Sequence, residues 1–283
     1  MEFYKLVASG NDFILVEARK MKRLGLSYRR LAKEVCRRKF GIGADGLLVI
    51  EPSKKALFKM RIFNPDGTEA EMCGNGARCT SLWAKLKLKT ENSISFETKA
   101  GVIHTKVSSI NSQASRKKPQ AQIKIKMVKP FDLKLGLPIK ILGRKIKVNY
   151  INTGVPHTVV FVEGLDKIDV EGIGRPIRFH RRFSPAGANV DFVEVLAKDY
   201  IKIRTYERGL EGESLACGTG AVAGAIITSY CLSTTNHQFR VRVLTKSGEV
   251  LKVYFFKEKD KISNLWLEGK AYLVYKGEFL KGG

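Results

Sequence analysis

The 283-residue chain has few cysteines, few histidines, a shortage of acidic side chains and no long apolar run. Its five cysteines (Cys36, Cys73, Cys79, Cys217 and Cys231) are odd in number and scattered, which argues against a disulfide framework and leaves free thiols. The four histidines form no cluster, and Cys73 and Cys79 match no zinc spacing, so no metal is expected. No lysine stands in a motif for pyridoxal phosphate, so no cofactor is expected either. No apolar stretch approaches the roughly 18 residues of a membrane span. The opening "MEFYKLVASGNDFILVE" alternates like a strand and lacks the charged start and apolar core of a signal peptide, so the expectation is a cytoplasmic protein with no membrane partner. Acidic scarcity (27 Asp+Glu against 51 Lys+Arg, net +24) raises nucleic acid as a partner. Yet the lysines of "KLKLKT" (85–90) and "IKIKMVK" (123–129) alternate with apolar residues, as on half-buried strands. No RNA-binding aromatic signature or basic amphipathic repeat accompanies them. The excess reads as a solvated lysine-rich surface, with a basic nucleic-acid-binding protein as the alternative from a different class.

What the chain does contain is an internal repeat. "ASGNDFILVE" (8–17) resembles "NTGVPHTVVFVE" (152–163), Gly10 matching Gly154 at an offset of 144. "GADGLLVIE" (43–51) resembles "GANVDFVEV" (187–195), and "CGNGA" (73–77) resembles "CGTGA" (217–221), both again at 144. "TKAG" (98–101) follows as "TKSG" (245–248) at 147. Four matches in one order at nearly one offset mean two copies of one unit. Two similar lobes facing each other across a pseudo-twofold axis are expected.

Each copy opens with short strand-like runs, among them "FYKLVA", "FILVEA", "LLVIE" and "FKMRIFN", punctuated by turns at "SGND" and "NPDG". The Cys-Gly-x-Gly element comes next and leads into a helical stretch. "GARCTSLWAKLKL" reads as amphipathic, and "GAVAGAIITSYCL" is apolar all round, as in a fully buried helix. More strands follow, so each lobe is read as a sheet curled around one central helix. The polar segment 108–120 is the candidate linker.

Gly74, Gly76, Gly218 and Gly220 flank the two helix starts, where unpaired N–H groups and the positive dipole end favour a carboxylate or a thiolate. Both thiols are expected to be drawn below their free pKa. Two matched thiols on opposite sides of one atom suit inversion of a stereocentre, one taking the Cα proton as the other delivers one. Amides aimed at the substrate carboxylate would stabilise the enolate-like charge. For Cys36, Cys79 and Cys231 the reading is a small buried hydrophobe.

These residues carry a resemblance. "NPDGTEAEMCGNGARC", "ERGLEGESLACGTGA", "SGNDFILVE" and "GANVDF", in order from Asn11 to about Gly248, closely resemble the diaminopimelate epimerase family. The resemblance implies an α+β fold (an α/β roll) of two pseudo-symmetric lobes, each a curled, mostly antiparallel sheet around a central helix, with the active site in the cleft. The last strand would cross back to the first lobe, giving domains 1–118 plus 263–283 and 119–262. It implies PLP-independent epimerisation of LL- to meso-diaminopimelate by Cys73 and Cys217 as the acid/base pair. Gly74, Asn75, Gly218 and Thr219 would hold the reacting carboxylate, and Asn11 the reacting end. Asn64, Asn189 and Arg208 would hold the distal end, with His157 and Glu207 tuning the thiols and Glu207 also near substrate. Diaminopimelate is the implied partner, and a homodimer is left open.

Three positions depart from the family pattern. Thr68 replaces a usual serine, Gly46 stands where some members carry a glutamine, and Val155 replaces a frequent asparagine at the distal carboxylate. Val155 matters most, because a lost polar contact costs about 1–3 kcal/mol unless replaced, and it keeps open another amino acid racemase of the same two-thiol type. "GIGADG" (41–46) satisfies G-x-G-x-x-G, but the helix-like "YRRLAKEVCRRKF" precedes it and the strand-like "LLVIE" follows. A dinucleotide site needs the reverse order.

Overall fold

The computed structural model describes residues 1–21, 25–108, 110, 118–232, 237–259 and 261–280. Most of the candidate linker 108–120 lies outside the described residues. The chain divides into two compact units, Met1–Ile125 with Gly269–Gly283, and Lys126–Glu268. These seams fall a few residues beyond 118/119 and 262/263, where the sequence placed them: the strand Gln120–Lys126 pairs into the first unit's sheet, and Glu268 still pairs with Lys252 of the second.

In the first unit, β1 (Glu2–Ala8) and β2 (Asn11–Glu17) form a hairpin over Ser9 and Gly10, both at positive φ. The chain passes through α1 (Ala18–Met21) and α2 (Tyr28–Val35) to β3 (Gly46–Glu51), which runs parallel to β2. A parallel pair requires such a crossover. Ser27 caps α2 by accepting from Arg30 N at 3.3 Å, and Leu31, Ala32 and Val35 pack in one cluster with Ile14, Val16 and Val49. β4 (Lys59–Phe63) returns antiparallel, β5 (Glu69–Ala70) folds back on it, and α3 (Gly74–Lys87) leads to β6 (Ser93–Thr98), parallel to β4. β7 (Gly101–Val107) and β8 (Gln120–Lys126) finish the run antiparallel.

The second unit repeats this order. β9 (Phe131–Ile141), β10 (Arg144–Asn152) and β11 (Pro156–Phe161) are antiparallel neighbours. α4 (Val170–Arg178) crosses to β12 (Asn189–Ala197), parallel to β11, and β13 (Tyr200–Glu207) and β14 (Gly212–Ser214) fold back. α5 (Gly218–Leu232) leads to β15 (His237–Leu244), parallel to β13, followed by β16 (Val250–Glu258). The last strand, β17 (Lys261–Glu278), serves both units. Its first part pairs with β16, and its second part pairs with β1, the place that β9 takes beside β10. Each sheet curls until its edges meet, with Leu273 N donating to Pro119 O in the first unit and Met127 N to Leu265 O in the second. The repeat extends to an ion pair that pins the short strand before each central helix: Arg61–Glu69 at 2.8 Å and Arg204–Glu213 at 2.7 Å.

α3 and α5 are the central helices, buried over Asn75–Ala84 and Gly220–Ser229. α5 needs no polar accommodation because it is almost wholly apolar. α3 is buried all round rather than amphipathic, since its polar side chains bond inside the unit: Ser81 Oγ to Ala77 O (2.9 Å) and to Thr105 Oγ1 (3.0 Å). Lys85 and Lys87 lie in its last turn, so "KLKLKT" is a helix end and not a strand. "GIGADG" follows α2 and enters β3, the order opposite to a dinucleotide site. Among the described residues no helix is long and apolar enough to cross a membrane.

The two helix starts differ in what lies under them. A Cβ on Gly76 would meet Leu48 Cδ2 at 3.1 Å and Ile62 Cδ1 at 3.4 Å, side chains that can give slightly. A Cβ on Gly220 would meet Asp191 Oδ1 at 2.4 Å, and that oxygen is held by Thr205. Gly76→Ala should therefore change stability by less than about 1 kcal/mol, helix propensity offsetting the crowding. Gly220→Ala should cost roughly 2 kcal/mol or more in urea unfolding, since the buried acid cannot move without losing hydrogen bonds.

Candidate functional site

Cys73 is the N-cap of α3, with extended backbone and no side-chain cap bond, and its carbonyl accepts from Ala77 N at 2.8 Å. Cys217 stands in the same place before α5, its carbonyl accepting from Ala221 N at 2.9 Å. The amides of Gly74, Asn75 and Gly76, and of Gly218, Thr219 and Gly220, thus belong to first turns that have no intrahelical acceptor. Gly74 has open space where a Cβ would be, which leaves the backbone approachable there. Cys73 is half-buried and Cys217 buried.

In the second unit a buried polar network lies behind Cys217. His157 and Asp191 are fully buried, with His157 Nδ1 2.7 Å from Asp191 Oδ2. Thr205 Oγ1 donates to the other carboxylate oxygen at 2.7 Å. Asn189 is oriented by two bonds: its Nδ2 donates to Pro156 O (3.1 Å) and its Oδ1 accepts from Arg208 N (2.8 Å). The same Nδ2 lies 3.4 Å from His157 Nε2. Thr153 Oγ1 donates to Thr219 O at 3.1 Å, tying the β10–β11 turn to the helix start. The Thr219 hydroxyl lies 3.3 Å from Cys217 Sγ.

Burial pushes the Cys217 thiol well above its ordinary pKa, and the charges of Glu207 and Asp191 push the same way. The Thr219 hydroxyl and Gly220 amide oppose them more weakly. The expectation that the helix end draws both thiols toward thiolate is therefore corrected at Cys217, where desolvation outweighs the helix-end field. Burial likewise raises the Glu207 carboxyl, with Ser214 and His157 acting against it.

In the first unit, Asn75 is buried, and its side-chain oxygen accepts from Arg78, whose guanidinium also donates to Ser9 Oγ at 2.7 Å. Asn11 opens β2, next to Asp12, which is gripped by Lys5 (2.7 Å) and Arg38 (2.9 Å). Burial works to raise the Asp12 carboxyl, but these two cations bring it down to about 2. Asn64 is exposed at the end of β4 and bonds within its own turn, Nδ2 to Thr68 Oγ1 at 2.9 Å.

The sequence-derived residues therefore fall into local groups. His157, Asn189 and Arg208 form one bonded network, Cys217 joins Thr219 and lies in the field of Glu207, and Gly74 and Asn75 follow Cys73 directly. Asn11 is held beside the Asp12 ion pairs, and Asn64 in its own turn. Sequence reading missed Asp191, Thr205, Thr153, Ser9 and Arg78. The available signal was an acid inside the apolar run "NVDFVEV"; Arg78 had none, since its helix reads as amphipathic in sequence.

The family model for diaminopimelate epimerase matches residues 3–122 and 149–274. The diaminopimelate epimerase of Aquifex aeolicus is 41% identical over 285 residues, covering 98% of this chain and 97% of that one. That of Methanothrix thermoacetophila is 40% identical, covering 98% and 95%. Among solved structures, a Bacillus anthracis phenazine biosynthesis protein of the PhzF family has a TM-score of 0.70 at 19% identity, covering 99% of both chains. A probable proline racemase from Agrobacterium radiobacter has a TM-score of 0.70 at 14% identity, covering 99% of this chain and 92% of that one, a likeness of fold. Matched by that family model over most of its length and about as long as its relatives, the chain belongs to the diaminopimelate epimerase family.

Proposed function

We propose that the protein interconverts LL- and meso-diaminopimelate in the cytoplasm by proton transfer at one α-carbon, with Cys73 and Cys217 as the acid/base pair and no cofactor. The observation that carries this reading is the duplicated cysteine, set in each unit immediately before the first turn of a buried helix. One sulfur takes the α-proton, and the electron pair moves into the carboxylate as an enediolate. The amides of Gly74, Asn75, Gly218 and Thr219 hold that charge. The second thiol delivers a proton from the opposite face, which inverts the centre, and the two exchange roles in the reverse reaction.

Cys217, kept protonated by burial and by Glu207 and Asp191, is the acid in the resting protein, so Cys73 takes the first proton. Asn11 holds the reacting amino acid end. Asn64, Asn189 and Arg208 take the distal end, where the guanidinium suits a carboxylate. His157 and Glu207 adjust Cys217 through the network behind it. A second amino acid substrate of the same two-thiol chemistry is favoured by one observation, the half-buried Val155 where the family pattern has asparagine.

In deuterated water the reduced protein should introduce deuterium at Cα of diaminopimelate as it epimerises. Cys73→Ala and Cys217→Ala should each lower turnover roughly a thousandfold, as loss of an acid or base does. Full turnover in both variants would sink the two-thiol mechanism. Exchange with another amino acid in a panel, and none with diaminopimelate, would move the substrate assignment.

A pH dependence follows from Cys217. Below its ordinary value of 9.0 the thiol is protonated in folded and unfolded chains alike. Above it the unfolded chain loses the proton first, so folding stability falls as pH rises. Urea titrations from pH 8 to 10.5 should show Cys217→Ala losing less stability across this range than the natural chain.

A further inference from the structure

We propose that Arg78 is a positioning residue for the first turn of α3: its guanidinium locks Asn75 to Ser9 and supplies fixed positive charge for the anions that this helix start receives. The proposal rests on the acid/base reading of Cys73. Arg78 is fully buried, an expensive location for a cation and therefore one that needs a reason. Its side chain runs back toward the helix N-terminus, as long helical side chains do. There Nη2 reaches Asn75 Oδ1, three residues earlier, and Ser9 Oγ at 2.7 Å. One guanidinium nitrogen thus ties the turn before Asn11 to the helical turn that begins at Cys73.

The internal repeat acts as a control. At the matching position of α5, 144 residues on, stands Val222, buried in the apolar core of the second unit. The helix position itself accepts a small hydrophobe, so the fold of such a unit does not call for a cation there. The tie is made differently in the second unit: Thr153, the counterpart of Ser9, bonds the Thr219 carbonyl without a charged intermediary. The charge settings diverge as well. Cys217 lies in the field of Glu207 and Asp191, whereas the side chains beneath α3 at Gly76 are Leu48 and Ile62. The first unit carries a buried cation on its central helix, whereas the second has Asp191 buried on β12 and half-buried Glu207 on β13, and a cation favours a reactive, anionic sulfur and a bound carboxylate.

The test is iodoacetamide labelling of the reduced, substrate-free protein at neutral pH, read by peptide mapping at Cys73. Arg78→Met and Arg78→Gln remove the charge and should each slow Cys73 labelling about tenfold. Gln can still donate a hydrogen bond, so equal slowing in both assigns the effect to charge. Arg78→Lys keeps the charge but replaces the planar guanidinium, whose Nη2 makes both bonds, with a shorter, freely rotating ammonium. It should label Cys73 within about threefold of the natural rate, yet show kcat reduced at least tenfold with KM changed less. Cys73 labelling unchanged in a folded Met or Gln variant overturns the proposal, as does natural kcat in the Lys variant. If neither neutral variant folds, the Lys variant decides through its kcat. Labelling needs no substrate, so its failure counts against Arg78, while absence of α-hydrogen exchange in the natural protein counts against the epimerase reading.

Discussion

A helix buried on every side must still leave the N–H groups of its first turn somewhere to point, and each unit is organised around that constraint. The sheet wraps the flanks of α3 and α5 and takes their side chains, leaving the N-terminal turn as the polar end of an otherwise packed element. Glycine at the third helical position lets the sheet come close, onto Leu48 and Ile62 in one unit and Asp191 and Thr205 in the other. The residue just before the turn inherits the helix-end field, and in both units it is cysteine.

The duplication has kept the backbone and let the charges diverge. Strand order, crossover helices and the Arg–Glu pair ahead of each central helix recur. Beneath the helix starts the chemistry separates: a neutral pair of aliphatic side chains in the first unit, a histidine–aspartate–threonine network in the second. Two thiols with one local geometry therefore have different neighbours.

Much of this was legible in the sequence because repetition is visible without structure. The offset of 144 located both cysteines, both helices and the strands leading to them. Local periodicity failed where tertiary packing decides: "KLKLKT" alternates like a strand yet ends a helix whose preceding turns are buried. The protonation of Cys217 was out of reach for another reason. Its burial, and the field of Asp191 on β12 and Glu207 on β13, depend on how these strands meet the start of α5 in the fold. Arg78 was invisible as a special residue because a single arginine in a helix usually marks a solvated face.

β17 gives the chain an order of completion. The second unit is contiguous from Lys126 to Glu268, and its last strand is the first part of β17. The first unit, although it leaves the ribosome earlier, has no strand in the place beside β1 until residues 272–278 emerge. The half of the protein made first is thus finished last, and a chain cut short near its end has a complete second sheet and an open edge on the first.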